Sequence, residues 1–369
     1  MRRIAIAVVI ASTMSLSLAG CGLGASENAS SATPTRSNDI TVGVLMPEET
    51  NTRYAEFDYP IIKKKVAELT QNKGKTEYAN AAASAKTQNN QMQQMIDKKV
   101  DVILLDAVDS HNIAAMVKKA KEAGIPVIAY DRLAEGPIDA YVSFDNELVG
   151  EVQGRTLVEA IGNAQLSDKI VMVNGSPTDP NAGQFKEGAL NELNGRVTIA
   201  KTYDTDKWSP EIAEASMTKA IDAIGKSNIA GVYSANDAMA GGIIKALKAA
   251  GVSDSDLPPI TGQDAELPAV QRIISGEQYM SVYKPYPGEA EAAAEAAVAK
   301  VQGRNIQFDA LTRDRVDSPT NKDIPAKLVT VVALTKKNIK QTVVADGIYT
   351  VADICTAKYK SLCDAMDLK

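Results

Sequence analysis

Residues 125–150 constrain the fold of this chain more than any other stretch. They open with IPVIAY, an apolar run that is too short for a helix and rich in β-branched residues, which predicts a buried strand. The run ends on the opposite charges of Asp131 and Arg132, and a second β run follows at 140–144. In an open α/β sheet, ligands bind outside the carboxyl ends of the strands. Asp131 and Arg132 are therefore the first candidates for a site.

Strand-like and helix-like segments alternate on both sides of this stretch. Apolar runs at 40–46 and 100–107 are separated by helical patterns, and the alternation resumes after Asn146. This order predicts parallel strands connected by crossover helices. With 369 residues, of which 45% are hydrophobic, the chain is long enough for two such domains.

An internal repeat supports the division into two domains. The segment GIPVIAYD at 124–131 is matched by LPPITGQD at 257–264, and both segments follow a helix that ends in Ala-Gly. Each predicted strand ends on an aspartate, Asp131 in one case and Asp264 in the other. The repeat predicts two similar α/β units that each place a carboxylate at the corresponding strand end.

The N-terminus has the pattern of an export signal. Two arginines precede the apolar run 4–18, which ends in Leu-Ala-Gly-Cys at Cys21, a sequence that resembles the bacterial lipobox. We therefore expect a lipoprotein signal peptide at 1–21, with Cys21 as the lipidated residue, and a flexible Ser/Ala/Thr-rich tether at 22–38. A signal-anchor helix is the alternative, although the run is shorter than the roughly 20 residues that span a bilayer.

Two further cysteines, Cys355 and Cys363, lie near the C-terminus. An even pair in an exported chain predicts one disulfide, and two free buried thiols are the alternative. A metal site is not predicted, because the single histidine, His111, lies far from the cysteines and reads as a surface residue.

Several classes of function lack their sequence signals. A net charge of −6 without a clustered basic face argues against nucleic-acid binding. Neither a G-x-G-x-x-G turn nor a phosphate-binding loop occurs, so no cofactor is expected, and one histidine makes a catalytic triad improbable. Asp131 and Asp264 could act as a glycosidic acid/base pair. Their neighbours Arg132 and Gln263 instead favour ionised carboxylates that accept hydrogen bonds from a polyhydroxylated ligand.

Six motifs, YDR, SFDNE, NGSPTDPNA, SANDAMAGG, GQDAE and VYKP, occur in an order that resembles the type I periplasmic sugar-binding proteins, in particular their xylose-binding and multiple-sugar-binding branch. The likeness runs from about residue 40 to residue 339. It implies an α/β fold of two Rossmann-like lobes, joined by three crossings, that close like a Venus flytrap on a monosaccharide. It also implies a non-enzymatic, monomeric protein that serves the permease and ATPase subunits of an ABC importer.

The resemblance also implies a set of ligand-binding side chains. Tyr54 stands where the xylose-binding branch has tryptophan, and Trp208 would stack on the sugar ring. The complete implied set is Arg53, Tyr54, Asp131, Arg132, Asp179, Asn181, Trp208, Asn236, Asp264 and Lys284. The expected sugar is a pentose or ketohexose such as xylose, ribose or fructose. The expected location is the outer face of the cytoplasmic membrane, through the lipid anchor.

Other roles remain open for individual residues. Asn236 and Asp109 could be helix caps, Lys284 an exposed strand end, and Asp145 with Asn146 part of a hinge. Asp131, Arg132 and Asp264 could form an internal ion-pair network. For the whole chain, the alternatives are the effector lobe of a sugar-responsive regulator and an envelope sugar-processing enzyme.

The expected boundaries follow from the repeat and the motifs. The N-terminal lobe comprises 39–145 and 284–310, and the C-terminal lobe comprises 146–283 and 311–345. The C-terminal tail is 346–369, with the predicted disulfide. The sequence LVTVVALT at 328–335 is predicted to form one strand.

Overall fold

The structure is a computed structural model that describes residues 37–369. The expected signal peptide 1–21, its Cys21 and most of the tether 22–38 lie outside the described residues. Within residues 37–369, none of the helices combines the length and apolar character that crossing a bilayer requires.

Twelve strands form within the described residues. In chain order they are β1 (Thr41–Met46), β2 (Lys75–Asn80), β3 (Val102–Leu105), β4 (Val127–Tyr130), β5 (Ala140–Phe144), β6 (Lys169–Asn174), β7 (Thr198–Asp204), β8 (Ile229–Ser234), β9 (Ser281–Tyr283), β10 (Asp314–Val316), β11 (Ile324–Val329) and β12 (Val332–Leu334).

Twelve α-helices form in the same part of the chain. They are α1 (Tyr59–Leu69), α2 (Ala85–Asp97), α3 (Ala114–Glu122), α4 (Asn146–Ile161), α5 (Pro180–Leu193), α6 (Pro210–Ile224), α7 (Asp237–Ala249), α8 (Leu267–Ser275), α9 (Tyr286–Val301), α10 (Asn305–Leu311), α11 (Val351–Ile354) and α12 (Lys360–Ala365). Two π-helical turns, Tyr54–Asp58 and Lys340–Val344, and three short 3₁₀ turns complete the set.

The N-terminal lobe is built on a seven-stranded sheet in the order β10-β11-β5-β4-β3-β1-β2. All neighbouring pairs are parallel except β10 with β11. Every residue of β3 and β4 is buried, as expected for parallel strands that helices cover on both faces. One face packs on α1 and the alanine-rich α9, and the other packs on α2 and α3.

The C-terminal lobe repeats this arrangement. Its sheet has the order β7-β6-β8, and single parallel bridges extend it through 260–263 to β9, which pairs with β12. The order β7-β6-β8-(260–263)-β9 matches β2-β1-β3-β4-β5 in the other lobe. The predicted α/β fold with an internal repeat is therefore confirmed, and the segments ending at Asp131 and Asp264 occupy corresponding places.

The chain crosses between the lobes three times. The first crossing follows β5, where Asp145 caps α4 by accepting a hydrogen bond from the Leu148 N–H at 3.1 Å. The second connects β9 to α9, and the third connects β11 to β12. These crossings place the carboxyl ends of both sheets opposite each other.

Two sequence-based expectations were wrong in this last region. Segment 311–345 was assigned to the C-terminal lobe, but β10 and β11 extend the N-terminal sheet, where β11 pairs with β5. LVTVVALT was predicted as one strand, but it is divided between β11 and β12, which belong to different sheets. An apolar run alone does not distinguish one strand from two strands that are separated by a crossing between the lobes.

Cys355 and Cys363 form the predicted disulfide. The tail packs in a fourth apolar cluster with α8, β9 and the start of α9. His111 is on the surface, as expected, with its side chain 88% exposed.

Candidate ligand-binding site

A small polar cavity lies between the lobes at the carboxyl ends of both sheets. Every side chain on its wall is buried, so the cleft is closed in this structure. Both lobes contribute. The lining residues are Glu48, Asn51, Tyr54, Asp131, Arg132, Asp179, Asn181, Phe185, Trp208, Asn236, Gln263, Asp264 and Lys284.

Asp131 follows β4 in a left-handed backbone conformation, with φ 55°. Its N–H donates to the Val142 carbonyl at 2.9 Å, and its own carbonyl accepts from the hydroxyls of Tyr141 and Ser143, both at 2.7 Å. Its carboxylate accepts from the Tyr54 hydroxyl at 3.1 Å. A non-glycine residue keeps such a conformation only where its surroundings fix it, and such residues cluster at functional sites.

Asp264 occupies the equivalent position in the C-terminal lobe. It also has positive φ, 91°, and its N–H donates to the Val282 carbonyl of β9 at 2.9 Å. One carboxylate oxygen accepts from Asn51 Nδ2 of the other lobe at 2.7 Å, and the other lies 2.8 Å from Lys284 Nζ. The internal repeat therefore places two buried aspartates at one cavity.

Arg132 connects the lobes at one side of the cavity. Its Nε lies 3.0 Å from Oδ2 of Asp179, which caps α5, and its NH2 lies 3.2 Å from Oε1 of Glu48. Buried Asp106 lies behind it, with Oδ1 3.6 Å from the same Nε. Arg132 is therefore held in place by carboxylates from both lobes.

Two asparagines at helix N-termini contribute amide groups. Asn181, near the start of α5, donates through Nδ2 to the Asp131 carbonyl at 2.9 Å. Asn236 caps α7 by accepting from the Met239 N–H at 3.0 Å, and it also lines the cavity. Its role as a cap thus coexists with a position on the cavity wall. Asp109 caps a turn through the N–H of Asn112 at 2.8 Å, and it is not among the residues that line the cavity.

Trp208 supplies the largest aromatic surface at the cavity. Its ring Nε1 donates to Asp179 Oδ2 at 3.2 Å, and its ring packs edge-on against Phe185, with 6.3 Å between centroids. A Cβ added at Gly175 would lie 2.0 Å from the Trp208 ring, so glycine is required there. Tyr54 provides a second ring on the wall.

The charges at the cavity stabilise one another. Burial alone would raise the pKa of Asp131, but the attraction of Lys284, Arg53 and Arg132 outweighs it and lowers that pKa to about 2. Burial alone would lower the pKa of Lys284, but the neighbouring Asp264 and Asp131 raise it. Asp131 is therefore ionised near neutral pH and can only accept hydrogen bonds. Within residues 37–369, no group of three His, Cys, Asp or Glu side chains is arranged to hold a metal ion.

Arg53 lies behind the cavity wall. Its Nε donates to Asp58 at 2.8 Å and its NH2 to Glu289 at 2.6 Å, and its guanidinium lies 4.6 Å from the centroid of the Tyr286 ring. The remaining nitrogen, NH1, lies 3.4 Å from Asp131 and 4.0 Å from Asp264. This nitrogen makes no hydrogen bond within residues 37–369.

A profile of the periplasmic binding protein domain matches residues 42–305 of the chain. The D-xylose-binding periplasmic protein of Escherichia coli is 36% identical over 281 residues, which cover 74% of this chain and 82% of that protein. The chain belongs to the type I periplasmic sugar-binding protein family.

Further comparisons agree with this family membership. The multiple sugar-binding periplasmic protein SbpA of Azospirillum brasilense is 32% identical over 344 residues, covering 88% of this chain and 94% of that protein. Among solved structures, an ABC transporter solute-binding protein from Clostridium phytofermentans with bound β-D-glucose superposes with a TM-score of 0.75 at 25% identity. That match covers 85% of this chain and 99% of the other.

In this periplasmic binding protein, most of the residues implied by the motifs surround one cavity. Tyr54, Asp131, Arg132, Asp179, Asn181, Trp208, Asn236, Asp264 and Lys284 are all on its wall. The exception is Arg53, whose side chain is behind the wall. Lys284 is buried at the second crossing, so it is not an exposed strand end.

The structure adds four residues to the wall that the sequence did not single out as ligand contacts: Glu48, Asn51, Phe185 and Gln263. Two of them present buried oxygens, Glu48 Oε2 and Gln263 Oε1, that make no hydrogen bond within residues 37–369. A buried polar atom without a partner costs free energy, and a polar ligand can remove that cost. The position of Gln263 next to Asp264 in the GQDAE motif is the one sequence signal for this group.

Proposed function

We propose that this protein binds a monosaccharide between its lobes and delivers it to an ABC importer. The observation that carries the proposal is the closed cavity between Asp131 and Asp264, where carboxylates, cations and amides from both lobes line one buried space. Each hydroxyl of a sugar both donates and accepts hydrogen bonds. Ionised carboxylates accept from such hydroxyls, while arginine, lysine and asparagine donate to them.

The proposed contacts with the sugar are of two kinds, aromatic packing and hydrogen bonds. The two rings, Tyr54 and Trp208, pack against the C–H faces of the sugar. Arg53, which lies behind the wall, contributes by holding the two aspartates in place through NH1, which lies 3.4 Å from Asp131 and 4.0 Å from Asp264. The hydrogen-bonding side chains are Asp131, Arg132, Asp179, Asn181, Asn236, Asp264 and Lys284.

We propose a pentose or ketohexose as the ligand, such as xylose, ribose or fructose. The cavity is small and all of its lining side chains are buried, which favours one sugar ring over an oligosaccharide. The D-xylose-binding relatives support xylose as the first sugar to test.

Binding proceeds by closure of the lobes and leaves the sugar chemically unchanged. The sugar bridges groups of both lobes, so its affinity for the closed form exceeds its affinity for an open form. That difference in affinity shifts the population towards closure.

Calorimetric titration with xylose, ribose, fructose, glucose and xylitol tests the proposal. We expect saturable, one-to-one binding of at least one monosaccharide, and the same sugar should be recovered unchanged after prolonged incubation. Absence of heat with every sugar would refute sugar binding, and a new product would favour an enzyme.

The site is tested by Asp264→Asn, with Asp222→Asn on the exposed face of α6 as the matched control. Loss of a hydrogen bond to a charged group costs roughly 1.5–3 kcal/mol, so Asp264→Asn should weaken binding about 10- to 100-fold. Asp222→Asn should bind like the wild type. Thermal unfolding of both variants shows whether the fold is retained.

We further propose that a lipid on Cys21 holds the protein at the outer face of the cytoplasmic membrane. Labelling cells with a fatty-acid precursor should mark the wild type but not Cys21→Ser. Equal labelling of the two would contradict the lipid anchor.

A further inference from the structure

The C-terminal tail, residues 346–369, packs against the C-terminal lobe. Its buried side chains Ile354, Cys363 and Leu368 share an apolar cluster with Val270 and Ile274 of α8. Gln271 of α8 donates to the Asp353 carbonyl at 3.2 Å. The disulfide between Cys355 and Cys363 joins the two short helices of the tail. The tail is thus fixed to this lobe at several points.

The same tail reaches a residue of the N-terminal lobe. The Tyr349 ring packs edge-on against Phe57, with 5.8 Å between centroids. Phe57 lies in the π-helical turn Tyr54–Asp58, which leads directly into α1. The tail also accepts a hydrogen bond at Asp346 from the Tyr283 hydroxyl, at 2.7 Å, beside the second crossing.

Aromatic contacts continue from Tyr349 to the binding cavity. Phe57 stacks on Tyr286 with 5.8 Å between centroids, and Tyr286 lies 4.6 Å from the Arg53 guanidinium. Arg53 in turn lies 3.4 Å from Asp131 through NH1. Tyr54, whose ring and hydroxyl are at the cavity, belongs to the same turn as Phe57.

We propose that the C-terminal tail is a positioning element for the binding site, and that Tyr349 is the residue through which it acts. Tyr349 supports Phe57 and Tyr286, which hold the turn carrying Tyr54 and the guanidinium of Arg53. The effect on affinity rests on the proposed sugar binding.

The test compares Tyr349→Ala with Tyr359→Ala in the full-length mature protein. Both tyrosines are partly buried in the tail, but Tyr359 contacts Lys358 rather than Phe57. Loss of an aromatic pair is expected to weaken binding of the sugar identified by calorimetry by roughly 2- to 10-fold in Tyr349→Ala. Tyr349→Phe, which keeps the ring, should bind like the wild type, as should Tyr359→Ala.

Hydrogen exchange without sugar gives a second readout, which does not depend on the proposed function. The backbone amides of 54–59 should exchange faster in Tyr349→Ala than in the wild type, with no change in Tyr359→Ala. Unchanged exchange in Tyr349→Ala, or equal effects of the two alanine variants, would overturn the positioning role. If the wild type bound no sugar, the proposed function would be wrong. The exchange rates of residues 54–59 would still test the positioning role of Tyr349.

Discussion

Asp131 combines a left-handed backbone conformation with a carboxylate whose pKa is lowered to about 2. Burial opposes ionisation of this group, and the attraction of Lys284, Arg53 and Arg132 more than offsets that effect. Because these cations keep the carboxylate ionised, it can accept hydrogen bonds from a ligand. Asp131 therefore serves both fold stability and the proposed ligand recognition.

This charge predicts a pH-dependent effect of Asp131→Asn. An aspartate whose folded-state pKa is about 2, against roughly 4 when unfolded, stabilises the fold by about 2 kcal/mol above pH 4. That contribution disappears as the pH falls from about 4 towards 2, because the folded carboxylate then becomes protonated too. Urea unfolding at pH 6, 4 and 3 should show the variant less stable at pH 6, with a difference that narrows at pH 3. A difference that stays constant with pH would show that the lost stability does not arise from the charge.

The strand ends and the internal repeat were enough to predict that Asp131 and Asp264 lie at corresponding strand ends. Phe185 could not be predicted, since an apolar residue within α5 has the spacing of a core residue. Glu48 and Asn51 lie in a polar loop whose path no periodicity determines. Arg53 was found by motif, but its partner Glu289 is 236 residues away in sequence, so its position behind the wall depends on tertiary contacts.

Helices α4 and α5 pack closely because both present glycines at their contact. A Cβ at Gly188 would lie 2.0 Å from the Glu147 carbonyl oxygen of α4, and one at Gly150 would lie 2.0 Å from the Phe185 carbonyl oxygen of α5. Since Asp179 caps α5 and Asn181 lies in its first turn, this packing also fixes part of the cavity wall.

Two glycines of α5 should respond in opposite ways to the same substitution. Gly183→Ala places a methyl group where nothing lies within 4 Å, so the gain in helix propensity should raise the free energy of unfolding by about 0.5–1 kcal/mol. Gly188→Ala should lower it by about 1–3 kcal/mol, because α4 must move. Denaturant unfolding measures the free energy of unfolding of both variants. A Gly188→Ala variant more stable than the wild type would contradict the close contact between α4 and α5.

A single strand was predicted correctly where its apolar run belongs to one sheet only, as in β4. The prediction was wrong for LVTVVALT because its apolar residues serve two sheets, and only the pairing of β11 with β5 and of β12 with β9 divides them. Such pairings depend on contacts between residues that are distant in sequence.

At the scale of the whole molecule, polar contacts at the cavity connect the lobes. Arg132 with Asp179 at 3.0 Å, Asn51 with Asp264 at 2.7 Å, and Asn181 with Asp131 at 2.9 Å all cross between lobes. The same side chains line the cavity. A ligand that binds them from within would therefore favour the closed arrangement by its difference in affinity between the two forms.

The two-lobed architecture could be predicted from the repeat and the ordered motifs, because each lobe repeats the same β-α units. The packing of the tail could not be predicted. A pair of cysteines indicates a disulfide, but nothing in the sequence connects Tyr349 to Phe57, which lies in the other lobe.

Trp208, the only tryptophan of the chain, lies on the cavity wall, so its fluorescence reports directly on this site. Titration with the sugar identified by calorimetry should change the emission saturably, with the same Kd as the calorimetric measurement. At the same sugar concentrations, Asp264→Asn should show little change. A sugar that binds by calorimetry but leaves the Trp208 emission unaltered would contradict the central claim that the closed cavity between the lobes is the binding site.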